Sequence, residues 1–283
     1  MEGFERRAVA PAHPVAPYIG GKKVLASDII ARIDQIPHVA YVEPFIGMGG
    51  IFLRRRSAPK LEVINDLSSE VANLFRVLQC HYVAFLDMMK FQITSRREFE
   101  RLARTDPTTL TDMQRAARFL YLQRLAYGGK VSGQNFGIFR DKPGNFDVTR
   151  LGPVLEAAHE RLAGVVIENL CYSEIITRYD APTTLFYFDP PYWGSEKDYG
   201  RGLFSRADFQ RLAQMLTKIS GTFLMSLNDC PGVRECFSAF AFEEFEVPYT
   251  IAGGDKAPDA KEVLIFPHGQ VRRAAAPDLF AAE

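Results

Sequence analysis

Short apolar runs alternate with helical patterns along most of the chain. Runs rich in β-branched and aromatic residues predict buried strands at 39–43, 61–65, 165–168, 185–188, 222–227, 242–247 and 262–266. Between them, apolar residues recur three and four positions apart, which predicts amphipathic helices such as those at 25–36 and 149–162. Because this alternation is typical of parallel sheets covered by helices, the sequence predicts an α/β fold.

The helical pattern from residue 70 to about 124 is too long for one crossover between strands, so it predicts an inserted, mainly helical domain. A loop rich in Gly, Asn and Lys follows at 128–147. Residues 90–150 hold twelve Lys/Arg against six Asp/Glu, although the whole chain has 34 of each. Basic side chains with interleaved Phe suit nucleic acid, whose phosphates and bases they contact. An ordinary solvated helical face followed by a surface hairpin is the alternative.

The composition excludes several classes of protein. The 283 residues are 47% hydrophobic and 24% charged, which is typical of globular proteins. The four cysteines form no Cys-x-x-Cys pair and the five histidines lack metal-ligand spacing, so we expect no metal site. No apolar run reaches the roughly 18–20 residues of a membrane span, and the N-terminus has no signal core. We therefore expect a cytoplasmic protein without a membrane anchor, with flexible tails at 1–16 and 269–283.

An acid, two prolines and an aromatic ring follow the predicted strand 185–188. Asp189, Pro190, Pro191 and Tyr192 lie where a parallel sheet places its ligands, beyond the carboxyl end of a strand. The two prolines prevent the chain from continuing as a helix or as a hydrogen-bonded strand. A carboxylate, stiff carbonyls and a flat ring suit a planar base whose amino group needs acceptors. The alternative is a rigid surface turn.

A glycine-rich turn and a second acid follow the first two predicted strands. Glu43 to Gly50 is predicted to turn from strand to helix, with the helix beginning at 51–53, so that a ligand can lie against bare backbone. Phe52 occupies the third glycine position of the dinucleotide fingerprint, which favours a smaller nucleoside. Asp66 ends the next strand about 20 residues later. In nucleotide-binding α/β folds an acid at this position accepts hydrogen bonds from the ribose hydroxyls. Its alternative is a helix N-cap.

A short loop before the first predicted helix combines Tyr18, Gly20, Gly21 and Lys22. Two glycines allow a tight turn with close backbone approach, but the loop does not match the phosphate-binding pattern that ends in Gly-Lys-Ser/Thr. It is either part of a ligand site or a plain turn that leads into the helix.

These motifs in this order resemble the Dam-type (D12 class, alpha group) DNA adenine-N6 methyltransferases. The resemblance covers roughly residues 17–266 and is carried by Tyr18, Gly20-Gly21-Lys22, Glu43-Pro44-Phe45-x-Gly47-x-Gly49, Asp66 and Asp189-Pro190-Pro191-Tyr192. It implies a Rossmann-like methyltransferase sheet that is mostly parallel with an antiparallel last strand. It also implies an S-adenosylmethionine-dependent catalytic domain at 17–76 and 163–268, interrupted by a target-recognition domain at 77–162.

The resemblance also implies roles for individual residues. Site-specific transfer of a methyl group from S-adenosylmethionine to the N6 amino group of a flipped-out adenine would use three catalytic residues, Asp189, Pro190 and Tyr192. The expected cofactor-binding residues are Tyr18, Lys22, Phe45, Gly47, Gly49, Asp66 and Asp189. The expected contacts to double-stranded DNA are Gln123, Arg124, Tyr127, Lys130 and Arg140. The chain departs from the family in having Tyr18 in place of the usual Trp, and in the hairpin that begins at Tyr127.

Other functions compete with this interpretation. Methylation of cytosine N4 or of RNA would use a similar site, and a catalytically inactive DNA-binding module would keep the fold. A nicotinamide oxidoreductase is disfavoured by the missing third glycine. We expect a monomer of bacterial or phage origin. A cognate restriction endonuclease as partner and a solitary role are both compatible with the resemblance.

Overall fold

The computed structural model describes residues 4–131, 133–137, 146–196, 202–247 and 260–269. The strands are β1 (Arg7–Ala8), β2 (Ala40–Glu43), β3 (Ser57–Ala58), β4 (Leu61–Asn65), β5 (Val166–Glu168), β6 (Thr184–Phe188), β7 (Thr222–Asn228), β8 (Ala241–Val247) and β9 (Ala260–Phe266). The α-helices are α1 (Ala26–Gln35), α2 (Ser69–Cys80), α3 (Tyr82–Met89), α4 (Arg96–Arg104), α5 (Asp112–Leu125), α6 (Val148–Arg161), α7 (Tyr172–Tyr179), α8 (Arg206–Leu216) and α9 (Pro231–Cys236).

The main sheet is mostly parallel. Within the described ranges its strand order is β5-β4-β2-β6-β7-β9-β8. Strands β2, β4, β5, β6 and β7 pair in parallel, whereas β9 runs antiparallel to both β7 and β8. The predicted α/β fold, a Rossmann-like methyltransferase sheet with an antiparallel last strand, is therefore confirmed.

Helices cover both faces of the sheet, which explains why its central strands β6 and β7 are apolar at nearly every position. Tyr41, Leu185 and Tyr187 point into one core, which the sheet shares with α1, α2, α5 and α6. Their neighbours Val42 and Phe186 point into the other core, against α7, α8 and α9. The helical insert thus packs onto the sheet through a continuous apolar core.

The predicted helix at 51–53 is wrong. The glycine turn after β2 leads into a single 3-10 turn, Phe52–Arg54, and Arg55 is already extended. Gly49 has a φ of +73°, and the chain must turn back so that β3 pairs with β1. Phe52 and Leu53 are fully buried anchors of this turn rather than the start of an amphipathic helix.

The N-terminal segment is not a flexible tail over its described residues 4–16. Arg7 and Ala8 pair with β3, and Val9 N–H donates to the Arg56 carbonyl at 3.0 Å. Ala12, Val15 and Ala16 are buried in the core that the sheet shares with the insert. The segment lacks periodicity because isolated side chains, rather than one face of an element, make these contacts. Of the predicted tail 269–283, only Gly269 lies within the described residues.

A buried ionic cluster joins the sheet to the insert. Glu62 on β4 accepts hydrogen bonds from Arg55 at 3.0 Å and from both terminal nitrogens of Arg161 at 2.7 and 2.8 Å. All three side chains are almost completely excluded from solvent. Arg55 also lies over the Tyr41 ring and Arg161 over the Phe52 ring. One carboxylate therefore pairs with two buried guanidinium groups that lie 106 positions apart in the numbering.

In the part of the chain that the structure describes, no helix combines the length and the apolar character needed to cross a membrane.

Candidate active site at the carboxyl edge of the sheet

The neighbouring strands β4, β2 and β6 end beside one cavity of about 570 Å³. Because parallel strands end at the same edge of a sheet, Asp66 and Asp189, which follow β4 and β6, come together although they are far apart in sequence. The glycine turn after β2 lies between them. The cavity wall also includes Tyr18 and Lys22 from the loop before α1.

Six of the seven predicted cofactor residues line this cavity: Tyr18, Lys22, Phe45, Gly47, Asp66 and Asp189. Gly49 is an exception, because it is buried behind the turn. There a Cβ atom would lie 2.8 Å from the Leu53 side chain, and φ is positive. Gly49 therefore permits the turn and its packing and is not among the residues that line the cavity, so its contact with the cofactor stays a prediction.

Gly47 joins the turn to both neighbouring parts of the wall. Its N–H donates to Asp66 Oδ2 at 3.0 Å, and the Ser68 N–H donates to Asp66 Oδ1 at 2.8 Å. A Cβ at Gly47 would meet the Tyr18 ring at 3.1 Å. Burial raises the pKa of Asp66 to about 6, and the two backbone hydrogen bonds oppose that rise. Ser68 is the N-cap of α2, so the alternative role of Asp66 as N-cap does not apply.

Lys22 is paired with Asp189. Its Nζ lies 2.7 Å from Asp189 Oδ1 and donates to the Tyr192 hydroxyl at 2.9 Å and the Gly20 carbonyl at 3.1 Å. These three partners account for all three ammonium hydrogens. Glu262 on β9 lies 3.7 Å from the same nitrogen and accepts a hydrogen bond from the Tyr192 hydroxyl. Lys22 thus reaches Asp189 and Tyr192 together.

The electrostatics of Asp189 balance burial against this partner. Burial raises the pKa of Asp189, while the Lys22 ammonium and a hydrogen bond from Ser226 Oγ at 3.1 Å lower it. Burial lowers the pKa of Lys22, but the negative charge of Asp189 and its neighbours raises it well above its usual value. Lys22 therefore stays charged and fixes the orientation of the carboxylate.

Two acceptors beside the cavity remain available. Both Lys22 and Ser226 contact Oδ1 of Asp189, and within the described ranges no hydrogen bond reaches Oδ2. Nor does any described N–H or O–H donate to the Pro190 carbonyl. The Tyr192 ring has Lys22 Nζ 4.5 Å from its centroid on one side. A planar ligand that stacks on Tyr192 has to use the opposite face.

A second buried acid lies behind the site. Glu43, the last residue of β2, accepts a hydrogen bond from the Tyr41 hydroxyl at 2.5 Å. Burial raises the pKa of Glu43 to about 8, and the charge of Asp189 adds to that rise. Glu43 is therefore mostly protonated at neutral pH and adds little negative charge behind Asp189, whereas the charge of Glu262 raises the pKa of Asp189.

The predicted DNA contacts fall into four groups. Gln123 is buried and its Nε2 donates to the Pro17 carbonyl at 2.8 Å and the Gly129 carbonyl at 2.7 Å, so its predicted contact with DNA is wrong. Arg124 lines the cavity and donates to the Val15 carbonyl at 2.7 Å. Tyr127 and Lys130 are exposed. Arg140 lies outside the described residues.

Helix α4 adds further exposed basic residues to Lys130. Arg96, Arg97 and Arg104 are exposed, and no carboxylate of the described residues lies within 4 Å of their nitrogens. Arg96 lies over the ring of Phe136, which belongs to the loop after α5. Arg101 pairs instead with Glu98 on its own helix. Part of the predicted basic segment is therefore available for an anionic partner.

Sequence patterns missed several residues of the site. Ser226 touches Asp189 and interrupts the apolar run of β7, whereas Glu262 touches Tyr192 and begins the predicted strand 262–266. A polar residue inside a buried strand was the signal that was available for Ser226. Arg54, which also lines the cavity, carried no comparable signal in the sequence.

The chain matches a known protein family and several characterised proteins. Residues 18–251 match the family described as D12 class N6 adenine-specific DNA methyltransferase. The Type II methyltransferase M1.LlaDCHI of Lactococcus lactis subsp. cremoris is 24% identical over 84% of this chain and 88% of that protein. The DNA adenine methylase of Haemophilus influenzae is 23% identical, over 89% of this chain and 92% of its own length. The Type II methyltransferase M.MjaIII of Methanocaldococcus jannaschii is 24% identical over 89% and 98%.

Proposed function

The chain belongs to the D12 class N6 adenine-specific DNA methyltransferase family, and from that premise we propose that Asp189, Pro190 and Tyr192 form its catalytic centre. The protein is an adenine-specific DNA methyltransferase, and its family in general uses S-adenosylmethionine as methyl donor. One observation carries the assignment of the site: Lys22 and Ser226 hold one oxygen of Asp189, while Oδ2 and the Pro190 carbonyl have no donor among the described residues.

The cavity suits S-adenosylmethionine in size and in polar groups. Its volume of about 570 Å³ falls in the range typical of sites for small molecules. The Asp66 carboxylate is available for the ribose hydroxyls, and Gly47 leaves the backbone bare beside it. Phe45 and Tyr18 add apolar wall. When bound, S-adenosylmethionine supplies an electrophilic methyl group on a sulfonium.

Asp189 and Pro190 make the adenine amino group more nucleophilic. The N6 lone pair of adenine is delocalised into the ring, so the free amine attacks poorly. Accepting its two hydrogens on Asp189 Oδ2 and on the Pro190 carbonyl favours a pyramidal nitrogen with a localised lone pair. Because Lys22 and Ser226 orient the carboxylate beforehand, little reorganisation accompanies the reaction.

Tyr192 holds the target base by stacking. An adenine has to leave the duplex to reach an enclosed site, and an aromatic face stabilises the flipped base. Lys22 and Glu262 fix the Tyr192 hydroxyl, so the ring is presented in one orientation. Lys22 is in this account a positioning residue that serves both Asp189 and Tyr192.

We expect cofactor affinity to depend on the ionisation of Asp66. Because its pKa is raised to about 6, the carboxylate is ionised above that pH and accepts the ribose hydroxyls fully. One pH unit below the pKa about a tenth remains ionised, so affinity should fall roughly tenfold between pH 7 and pH 5. Calorimetric titration with S-adenosylmethionine over this range measures the fall.

The Asp66→Asn variant is the control for that titration, because it keeps the size of the side chain and has no carboxylate to ionise. The variant should bind about tenfold to a hundredfold more weakly at pH 7, which is the usual loss of hydrogen bonds to a charged group. Its affinity should also lack the wild-type step near pH 6. Equal affinities of variant and wild type at pH 7 would contradict the role of Asp66.

In this proposal DNA binds to the exposed basic residues of the helical insert. We assign residues 77–162 to DNA recognition and 17–76 with 163–268 to catalysis. Tyr127 and Lys130 stand exposed after α5, and Arg96, Arg97 and Arg104 lie along α4. Phosphate contacts from such residues supply affinity without sequence information.

Replacing Lys130 with Ala should weaken binding to all duplex sequences alike and reduce the slope of log K against log salt by about 1. The measurement is fluorescence anisotropy with duplexes of different sequence at several salt concentrations. Lys218→Ala, an exposed lysine after α8, is the matched control and should leave both quantities unchanged. A loss confined to one DNA sequence would show that Lys130 reads a base instead.

The names of the relatives bear on whether the protein has a restriction endonuclease as a partner. Two of them are named Type II methyltransferases, which supports a cognate restriction endonuclease, whereas the name DNA adenine methylase supports a solitary role. The monomeric state is proposed from the resemblance to Dam-type enzymes.

A further inference from the structure

Arg54 brings a positive charge into the cavity wall without an acidic partner. It ends the 3-10 turn after the glycine turn and is half-buried, and its Nη1 donates to the Gly50 carbonyl at 2.5 Å. Burial lowers the pKa of Arg54. Within the described ranges no carboxylate lies within 4 Å of its guanidinium. A desolvated charge that lacks a counterion is costly, which points to an anionic ligand in the cavity.

The other cations of the wall are already engaged or lie at its exposed margin. The ammonium of Lys22 donates its three hydrogens to the Asp189 carboxylate, the Tyr192 hydroxyl and the Gly20 carbonyl. Arg124 donates to Val15 and lies in the field of Asp147, whose negative charge raises its pKa against the larger lowering by burial. Lys23 and His13 are exposed.

A second donor lies beside Arg54. A Cβ atom at Gly50 would be 3.9 Å from Arg54 Nη1 and 3.7 Å from the backbone nitrogen of Lys22. Among the described residues the Lys22 N–H donates to no acceptor. The absent side chain of Gly50 therefore leaves a gap that a guanidinium and a backbone N–H share, which is a cradle for a carboxylate or another small anion.

The cradle lies on the same turn as the ribose site. Gly47 holds Asp66 through its N–H, and three residues later Gly50 lies against Arg54 and Lys22. Lys22 in turn contacts Asp189. This combination fits a nucleoside that carries an amino-acid carboxylate. The ribose diol of such a ligand would bind at Asp66, and its carboxylate would bind in the gap at Gly50.

We propose that Arg54, together with the backbone N–H of Lys22, binds the α-carboxylate of S-adenosylmethionine. This inference rests on the proposed use of the cavity and names the residue that recognises the amino-acid end of the ligand. The planar guanidinium offers two parallel donors to a carboxylate, which an ammonium group does not.

The test compares two ligands on the full chain by calorimetry. S-adenosylmethionine and its decarboxylated analogue share the adenosine and the sulfonium and differ in the carboxylate. Arg54→Met should bind S-adenosylmethionine about tenfold to a hundredfold more weakly and bind the decarboxylated analogue nearly as wild type does. Gly50→Ala, whose Cβ would occupy the cradle without removing a charge, should show the same selective loss.

Arg56→Met removes an exposed arginine two positions away and should change neither affinity. Equal weakening of both ligands by Arg54→Met, or no weakening of either, would overturn the assignment of Arg54. Failure of the wild-type chain to bind either ligand would overturn the proposed function and this inference with it. Selective loss in both variants, with wild-type binding intact, supports the carboxylate cradle.

Discussion

Replacing Asp189 with Ala is expected to lower the turnover number roughly a thousandfold, the upper part of the range seen when one preorganised group of an active site is removed. The variant loses the acceptor for the adenine amino group, and Lys22 loses its 2.7 Å partner. Single-turnover transfer of labelled methyl groups to a duplex oligonucleotide, at saturating cofactor and DNA, measures the chemical step directly.

Two further variants separate chemistry from folding. Asp189→Asn keeps the volume of the side chain and one oxygen but removes the charge that pairs with Lys22, so it should also be severely impaired. Asp87→Ala removes an exposed carboxylate on α3 and should leave the rate unchanged. A near-normal rate for Asp189→Ala would show that another group activates the amine.

The largest effect on stability is expected for Glu62→Gln. The amide retains the size of Glu62 but leaves Arg55 and Arg161 as buried charges without a carboxylate. Breaking a buried ion pair by removing one partner typically costs about 3–5 kcal/mol, a large share of the roughly 5–15 kcal/mol that stabilises a native protein. Urea unfolding at pH 7, followed by circular dichroism, measures the loss.

Glu98→Gln provides the matched comparison, since Glu98 pairs with Arg101 on the surface of α4. An exposed pair of this kind contributes about 0–1 kcal/mol because solvent screens it. The expected result is a large decrease in the unfolding midpoint for Glu62→Gln and a small one for Glu98→Gln. Similar decreases for both variants would contradict the account of the buried cluster.

The strands and the acids that follow them could be predicted from the sequence for a physical reason. Strand β6 was predicted at 185–188 and is observed at Thr184–Phe188, because a strand buried on both faces is almost wholly apolar and ends where polarity begins. The same rule located Asp66 and Asp189 at the carboxyl edge. Local composition is sufficient for such features because the signal lies within a few consecutive residues.

Contacts between distant residues were not predictable in this way. Gln123 has the polarity and position of a DNA contact, yet its amide joins Pro17 to Gly129 inside the protein. Val15 is buried by partners from elsewhere in the chain, although its own segment has no periodicity. The 3-10 turn at Phe52–Arg54 likewise replaced a predicted helix because β3 has to reach β1. Each outcome depends on tertiary packing rather than on local pattern.

The pairing of Lys22 with Asp189 shows the same limit at the active site. Each residue stands out in the sequence, but 167 positions in the numbering separate them. The resemblance placed Lys22 among the cofactor contacts, whereas its three hydrogens are directed to Asp189, Tyr192 and Gly20. The structure shows that the Lys22 ammonium is engaged within the protein, which neither sequence position reveals alone.

The most direct test of the central claim is nucleoside mass analysis of unmethylated duplex DNA after incubation with the protein and S-adenosylmethionine. The account predicts N6-methyladenine in the wild-type reaction and about a thousandfold less in the same time with Asp189→Ala. N4-methylcytosine as the product, or N6-methyladenine formed equally by the Asp189→Ala variant, would contradict it.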